Sequence, residues 1–347
     1  MKVLLLFPSI YSVDKTFKQG FEENGCSVET FDYRKHTRSI YEKIENKKLK
    51  LSNSLRNRWD DFYFKTINQA HLDRFKTVQP DLVLIYNNEM LLPETVKKFR
   101  ETSKVVFFLG DSPYYSPTSK YNLQLLFDAD AVLCPDTGWI EQLEMLGLDN
   151  LHHFVVTTGM EENFVKQPTQ EELQKYGCDV VFIGGNVNSS WGYKRALFLN
   201  QFADMNFKLY GPPSWRNWFT YFPKLEKCLV PHTKGRLSFE EVNTIMNCAK
   251  IYPVDVNPGL VNGPHLRMYE CFASGVLPLS EYRKDLDIIF KDIELPVIHN
   301  YRDVEKITYS YVANDAERNK IIQMAILHIK KNYSAVNTVS MLFQILG

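Results

Sequence analysis

The sequence has no excess charge of either sign: 41 Lys and Arg stand against 41 Asp and Glu in 347 residues. A general nucleic-acid role therefore has no electrostatic support. The six cysteines, at 26, 134, 178, 228, 248 and 271, are scattered singly. Without CxxC spacing, paired-cysteine motifs are excluded, and free thiols in a reducing compartment fit best. The eight histidines show no HExxH or other ligand spacing, so no metal site is expected. His152 and His153 are adjacent and would face opposite sides of a strand. The opening MKVLLLFPS turns polar too soon for a signal peptide or membrane span and reads as a buried strand. The next loop, FPSIYSVDKTF, lacks the glycines of a dinucleotide fingerprint, which argues against NAD. No DxD motif lies in a loop suited to hold a metal–diphosphate pair.

What is present is apolar and periodic. Hydrophobic residues make up 44% and aromatics 14% of the chain, enough for two cores, and the length points the same way. Strands read at Lys2 to Phe7, Val28 to Tyr33, Asp81 to Tyr86, Lys104 to Leu109, Ala131 to Cys134 and Phe154 to Thr157. Helices fall between them at Lys15 to Asn24, Leu92 to Glu101 and Thr137 to Leu146. This is the rhythm of a parallel α/β sheet. Residues 35–79 break it with two basic helices carrying Arg38, Lys43, Lys47, Lys48, Lys50, Arg56 and Arg58. Such a segment reads either as a solvated face or as a surface for an anionic acceptor or membrane. Asn87, Asn88 and Glu89 follow one strand tip directly, and Asp111 follows another in Gly110-Asp111-Ser112-Pro113. A strand tip suits an acid or base, and Asp before Ser-Pro equally suits a helix cap.

Glu161 to Gly177 is a polar linker, after which the rhythm resumes. Cys178 to Ile183 ends in Gly184-Gly185-Asn186, a turn that lets backbone approach a ligand. Lys194 and Arg195 lie early in the following helix. Phe207 to Tyr210 ends in Gly211-Pro212-Pro213, before an aromatic run that is either a lid or a packed loop. Lys234 and Arg236 precede a helix capped by Ser238 with Glu241. A long final helix spans Asp315 to Phe343 with a break near Tyr333.

The stretch NGPHLRMYECFASGVLPLS, Asn262 to Ser280, concentrates the functional signal. Gly263 and Pro264 suit a helix start and Gly275 its end. An open helix N-terminus would offer N–H groups to a phosphate. Arg267 would add a forked positive charge, and Glu270 could accept two ribose hydroxyls. Asn262, Gly263 and His265 complete the expected donor site. The plain alternative is an ordinary loop–helix–strand unit with a solvated Arg267–Glu270 pair.

CDVVFIGGN, FKLYGPP, KGRLSFEEVNTIMNCAKIYPVDVN and NGPHLRMYECFASGVLPLS, in that order, resemble the C-terminal domain of GT-B glycosyltransferases. More narrowly they resemble the CgeB-like spore-maturation proteins, as do VVFFLGDSPY and DADAVLCPDTGWIEQLEMLG in the first half. The resemblance implies a GT-B fold: two doubly wound, Rossmann-like parallel-sheet domains facing a cleft. The expected division is an acceptor-side domain at 1–165 with its basic insertion at 35–79, a nucleotide-sugar domain at 166–330, and a C-terminal helix at 331–347 crossing back to the first domain. Glu270 matches the second glutamate of the retaining E-x7-E pattern, and the first falls at Asn262, which carries no charge.

The implied activity is metal-independent transfer from a nucleotide sugar, with no other cofactor, to a glycan, lipid-linked or protein acceptor. Arg267 would neutralise the leaving diphosphate, with Lys194, Arg195, Lys234 and Arg236 as further candidates. Asp111, then Glu89, would be the acceptor base if the reaction inverts. The expected location is cytoplasmic, with peripheral contact on the inner face of a membrane as one option. Two rivals stand beside this reading: a nucleotide-sugar epimerase of the same fold, and a non-catalytic sugar-binding or coat-associated protein.

Overall fold

Runs such as VLLL, LVLIY, VVFF and AVLC carry no polar alternation. They form strands buried on both faces, as parallel sheets require. The computed structural model describes residues 1–9, 12–37, 39–45, 47–87, 89–114, 121–157, 160, 163–230 and 237–347. The first elements are β1 (Lys2–Leu6), α1 (Val13–Glu23), β2 (Ser27–Phe31), α2 (Ser39–Glu45), α3 (Asn53–Val78), β3 (Leu82–Tyr86), α4 (Pro93–Arg100), β4 (Lys104–Phe108), α5 (Asn122–Phe127), β5 (Ala131–Cys134), α6 (Thr137–Glu144) and β6 (Leu151–His153). There follow α7 (Gln170–Tyr176), β7 (Cys178–Ile183), α8 (Ser190–Asn200), β8 (Phe207–Tyr210), β9 (Leu229–Val230), α9 (Phe239–Asn247), β10 (Ala249–Val254), α10 (Arg267–Ala273), β11 (Leu277–Glu281), α11 (Asp285–Ile289), β12 (Val297–Ile298), α12 (Val304–Ala313), α13 (Asp315–Asn332) and α14 (Ala335–Leu346).

The chain forms two units, Met1–Val156 with Tyr333–Gly347, and Thr157–Asn332. Each holds one sheet of six parallel strands, ordered β2-β1-β3-β4-β5-β6 in the first and β12-β11-β10-β7-β8-β9 in the second. Both orders reverse once, between β1 and β3 and between β7 and β10. In doubly wound sheets the crevice for ligands opens beyond the carboxyl ends of the strands flanking that reversal.

One strand bound needs correction, and other local readings are sharpened. The sixth strand of the first sheet is Leu151–His153; Phe154, Val155 and Val156 are buried but follow it. Helix α5 lies where no element was read from the sequence. The final helix is interrupted at Ser334, whose hydroxyl caps α14 by accepting from the Asn337 N–H at 3.3 Å. The aromatic run after β8 is a packed loop: Trp215, Trp218 and Phe222 are buried and only Tyr221 is well exposed.

Helix α14 lies on α1. Asn24 Nδ2 donates to the Val336 carbonyl at 3.1 Å, and the Phe21 and Phe343 rings are 5.9 Å apart. The two helices meet at Gly20, where a Cβ would sit 2.2 Å from the Ala335 oxygen and 2.8 Å from Val339 Cγ2. Gly20→Ala should therefore destabilise the first unit by about 1–3 kcal/mol, the usual range for overpacking, with a lower midpoint in denaturant unfolding. A midpoint equal to the parent's would show that α14 yields at this contact.

Candidate functional site

In the second unit the strand order brings the loop after β7 beside the end of β10. The Gly184 N–H donates to the Tyr210 carbonyl at 2.9 Å, and its own carbonyl accepts from Trp215 Nε1 at 3.0 Å. Gly211 must be glycine, since a Cβ there would lie 2.3 Å from Trp215 Nε1 and 2.6 Å from the Gly184 oxygen. Gly185 faces open space. Asn186 turns its Oδ1 back to accept the Val187 N–H at 2.8 Å, while its Nδ2 is buried without a hydrogen-bond partner among the described residues. The loop presses on α8 at Gly192, where a Cβ would be 1.7 Å from the Val187 oxygen.

Arg195 fastens this loop to β10. Its Nη1 donates to the Gly185 carbonyl at 2.7 Å, and its Nε donates to both Asp255 oxygens at 3.0 and 2.9 Å. Asp255 also accepts from Trp191 Nε1 at 3.1 Å, and the guanidinium lies 4.5 Å from the centre of the Trp191 ring. Two of the Arg195 donor nitrogens are thus committed to holding the loop. Lys194 is committed as well, to the Val256 carbonyl at 2.9 Å and to Glu281, whose carboxylate also accepts the Val256 N–H at 2.7 Å.

The Asn262 to Ser280 stretch differs from its expected form at the front. Helix α10 begins at Arg267, three residues beyond Pro264. The Arg267 N–H donates to His265 Nδ1 at 3.0 Å, Met268 to the His265 carbonyl at 3.1 Å, and Tyr269 to the Leu266 carbonyl at 3.1 Å. The N–H groups of Arg267, Met268 and Tyr269 are therefore used within the stretch. Arg267 pairs with Glu270 and lies over Tyr252, 5.9 Å from the ring centre. The Asn262 carbonyl accepts from the Asp285 N–H at 3.0 Å, and Gly263 is buried.

His265 accepts at Nδ1, which leaves its ring proton on Nε2. Burial pushes its pKa down to about 4; Arg267 and Arg195 act in the same direction and Asp255 opposes them. The ring is a neutral hydrogen-bond donor near neutral pH. Lys234 and Arg236 lie outside the described residues. Among the described residues no group of three His, Cys, Asp or Glu side chains could hold a metal ion.

The reversal point of the first sheet carries a second polar group. Glu89 is buried and meets Arg34 through two bonds, 2.9 and 3.0 Å. Arg34 also reaches Asp32 at 3.1 Å, and Asp32 accepts the Ser9 N–H and hydroxyl at 2.9 and 2.8 Å. Burial raises the Glu89 pKa to about 7 against the pull of Arg34. Burial also works to raise Asp32, but the bonds from Ser9 and Arg34 outweigh it and hold the carboxyl below its ordinary value.

Asn87, Glu89 and Met90 have positive φ, a costly conformation for such residues. Each is held by a polar contact: the Asn87 side chain on Gly110 and Asp111, the Glu89 carbonyl on His71 Nε2 at 3.1 Å, and the Met90 carbonyl on Asn68 Nδ2 at 3.0 Å. Asp111 is exposed and accepts from Asn87 Nδ2 at 3.0 Å. Asn88 is outside the described residues. Glu89 is thus committed to the loop, and Asp111 is the carboxylate left open. Sequence reading passed over Asp255, Trp191, Gly192 and Arg34. Asp255 directly follows a strand end, and that position was its one signal.

Residues 194–344 match a family model described as glycosyl transferase-like. By sequence, no curated protein matches the chain. Among solved structures, sucrose-phosphate synthase from Thermosynechococcus elongatus is similar at a TM-score of 0.69 and 10% identity, covering 100% of this chain and 99% of its own. An E. coli trehalose-6-phosphate protein bound with UDP-2-fluoro glucose gives 0.65 at 10% identity, over 100% and 99%. A candidate UDP-N-acetylglucosamine 2-epimerase from Listeria monocytogenes gives 0.59 at 14% identity, over 99% and 95%. The chain has the GT-B fold. The two reversal-point clusters, around Arg195 and around Arg34, are therefore the candidate sites of a GT-B protein.

The depressed His265 pKa has a consequence for stability. The unfolded ring binds a proton below about 6.5 and the folded ring only near 4, so its stabilising effect is complete above about 6.5 and is lost as pH falls toward 4. His265→Asn keeps an acceptor for the Arg267 N–H and removes the titration. Unfolding across this range should show a shallower acid-side decline in the variant. An unchanged slope would mean that the ring takes up its proton at the ordinary pH.

Proposed function

We propose that the protein is a glycosyltransferase that moves a sugar from a nucleotide-sugar donor to a hydroxyl of a glycan, lipid-linked or protein acceptor. The observation that carries this reading is the group at the second reversal point. There a glycine turn is pinned by Arg195 and Asp255, and the Arg267–Glu270 pair and a neutral His265 belong to the segment that leaves β10. The glycosyl transferase-like match at 194–344 spans most of that group, and the narrower CgeB-like kinship rests on the sequence stretches quoted above.

The chemical problem is departure of a nucleoside diphosphate from a sugar carbon. Negative charge grows on the leaving oxygen, and a preorganised cation or donor that meets it lowers the barrier. Arg267 takes that role, with His265 Nε2–H beside it and Glu270 on the ribose hydroxyls. The Gly184-Gly185-Asn186 turn, Gly211 and the Asn262-Gly263 segment shape the donor site around them, and Arg195 sets the loop. Lys234 and Arg236 add further positive charge. Protein cations suffice for this step, so the reading requires no metal. In an inverting reaction Asp111, held by Asn87, accepts the acceptor's proton, with Glu89 fixing the loop.

A second reading is favoured by one observation, the similarity to the Listeria candidate epimerase. An epimerase would exchange solvent deuterium into the sugar, whereas a transferase would hydrolyse donor slowly without acceptor.

Isothermal titration with UDP-, GDP-, ADP- and dTDP-sugars comes first. With the donor found, Arg267→Ala should lower kcat by ~10²-fold, the scale for loss of one oxyanion-stabilising donor. Glu270→Gln should mainly raise the donor KM, because ribose contacts do not change during reaction. If the reaction inverts, Asp111→Asn should cut kcat severely and leave donor affinity nearly unchanged. The donor-site assignment falls if no nucleotide sugar binds, or if the Arg267 and Glu270 variants both bind like the parent.

A further inference from the structure

Helix α3 is 26 residues long, which at 1.5 Å per residue is about 39 Å. Its buried residues, Tyr63, Ile67, Asn68 and His71, all lie in the second part. The first ten, Asn53 to Phe62, include none, so roughly 15 Å of helix extends beyond the packed body. Helix α2 folds back onto this arm. Trp59 Nε1 donates to Glu45 at 2.9 Å, Lys48 bridges Glu45 and Asp60, and Tyr41 lies 5.7 Å from Trp59 and 5.5 Å from Phe62 between ring centres.

Even so, Leu55 is 54% and Phe62 46% exposed. With Arg58 they recur at i, i+3 and i+7, which places an apolar stripe and a cation on one helix face. Lys43, Lys47, Lys50 and Arg58 are exposed and form no ion pair among the described residues. Lys48, counted in the sequence with the free cations, is paired. Residues 35–58 hold eight Lys and Arg against two Glu in a chain of zero net charge, so the positive charge is concentrated here. What sets this arm apart from other exposed apolar positions is the combination: apolar, aromatic and unpaired basic side chains on one segment match a charged lipid interface. A nucleic acid or acidic polymer would use the cations and leave Leu55 and Phe62 without a role.

We propose that α2 and the first ten residues of α3 form an arm that docks on an anionic phospholipid bilayer. Leu55 and Phe62 enter the headgroup–acyl boundary, and Lys43, Lys47, Lys50 and Arg58 lie on the headgroups. Trp59 and Tyr41 sit at the level where amphipathic rings are favoured. The arm lies on the surface and does not cross it: no described helix is long and apolar enough to span. This inference is independent of the donor reading.

The test is co-sedimentation of the full chain with vesicles of phosphatidylcholine alone and of phosphatidylcholine with phosphatidylglycerol, at low and at high salt. The parent should sediment with the anionic vesicles, and less so at high salt, where exposed charges are screened. Replacing Lys43, Lys47, Lys50 and Arg58 together by Gln should lower partitioning by roughly fivefold per charge. Leu55→Ser with Phe62→Ser should abolish binding that survives high salt while leaving retention on a heparin column unchanged. All six positions are exposed, and an unchanged unfolding midpoint would confirm an intact fold. The proposal is overturned if the parent ignores anionic vesicles at low salt, or if the Leu55/Phe62 variant binds them like the parent; the second result would leave only a surface for soluble polyanions.

Discussion

The second unit depends on one buried ion pair. Arg195 and Asp255 have side chains only 11% and 3% exposed, and they join a loop after β7 to the end of β10 across the point where strand order reverses. Removing one partner from such a pair typically costs about 3–5 kcal/mol, because the other is left charged and unsolvated. Loss of Arg195 would also release the Gly185 carbonyl, and loss of Asp255 the Trp191 indole. The glycines at 192 and 211 belong to the same constraint, since they let the backbone come close enough for the arginine to reach.

The first unit solves the same problem with other residues. Arg34 joins Asp32, after β2, to Glu89, after β3, spanning the strand between them. The left-handed backbone at Asn87, Glu89 and Met90 persists because α3 and Arg34 hold it from both sides. In each unit an arginine paired with a buried carboxylate fixes the loops where parallel sheets place ligands, so the candidate binding surfaces are shaped before any ligand arrives. Rigid loops of this kind lose little entropy on binding.

The two sheets were legible because parallel strands are short, mostly apolar and bounded by glycine, proline or polar residues. Cys178 to Ile183 and Phe207 to Tyr210 read directly for that reason. The capping box at Ser238 and Glu241 was legible because it is local chemistry, and it forms as read. The start of α10 was misread because Pro264 is a good first residue in any helix, while the His265 ring, which captures the Arg267 N–H, competes for the same turn. Arg195 was visible as a cation but not as a clamp, because its partner lies sixty residues away and only the fold makes them neighbours. The same holds for Arg34 and Glu89. Charge is written in the sequence, whereas its partner is assigned by topology.

The placement of α14 bears on the order in which the molecule can be completed during synthesis. The second unit is one continuous segment and has all its strands before α14 leaves the ribosome. The first unit is begun earlier but lacks its last helix until the whole of the second has been made. Until then α1 carries Phe21 and the bare backbone at Gly20 without a cover, and closing that gap means joining the ends of a very long loop. The entropic penalty of that closure grows only with the logarithm of loop length, so the great separation in sequence adds little to it. The usual order of domain completion, first-synthesised first, is reversed in this chain.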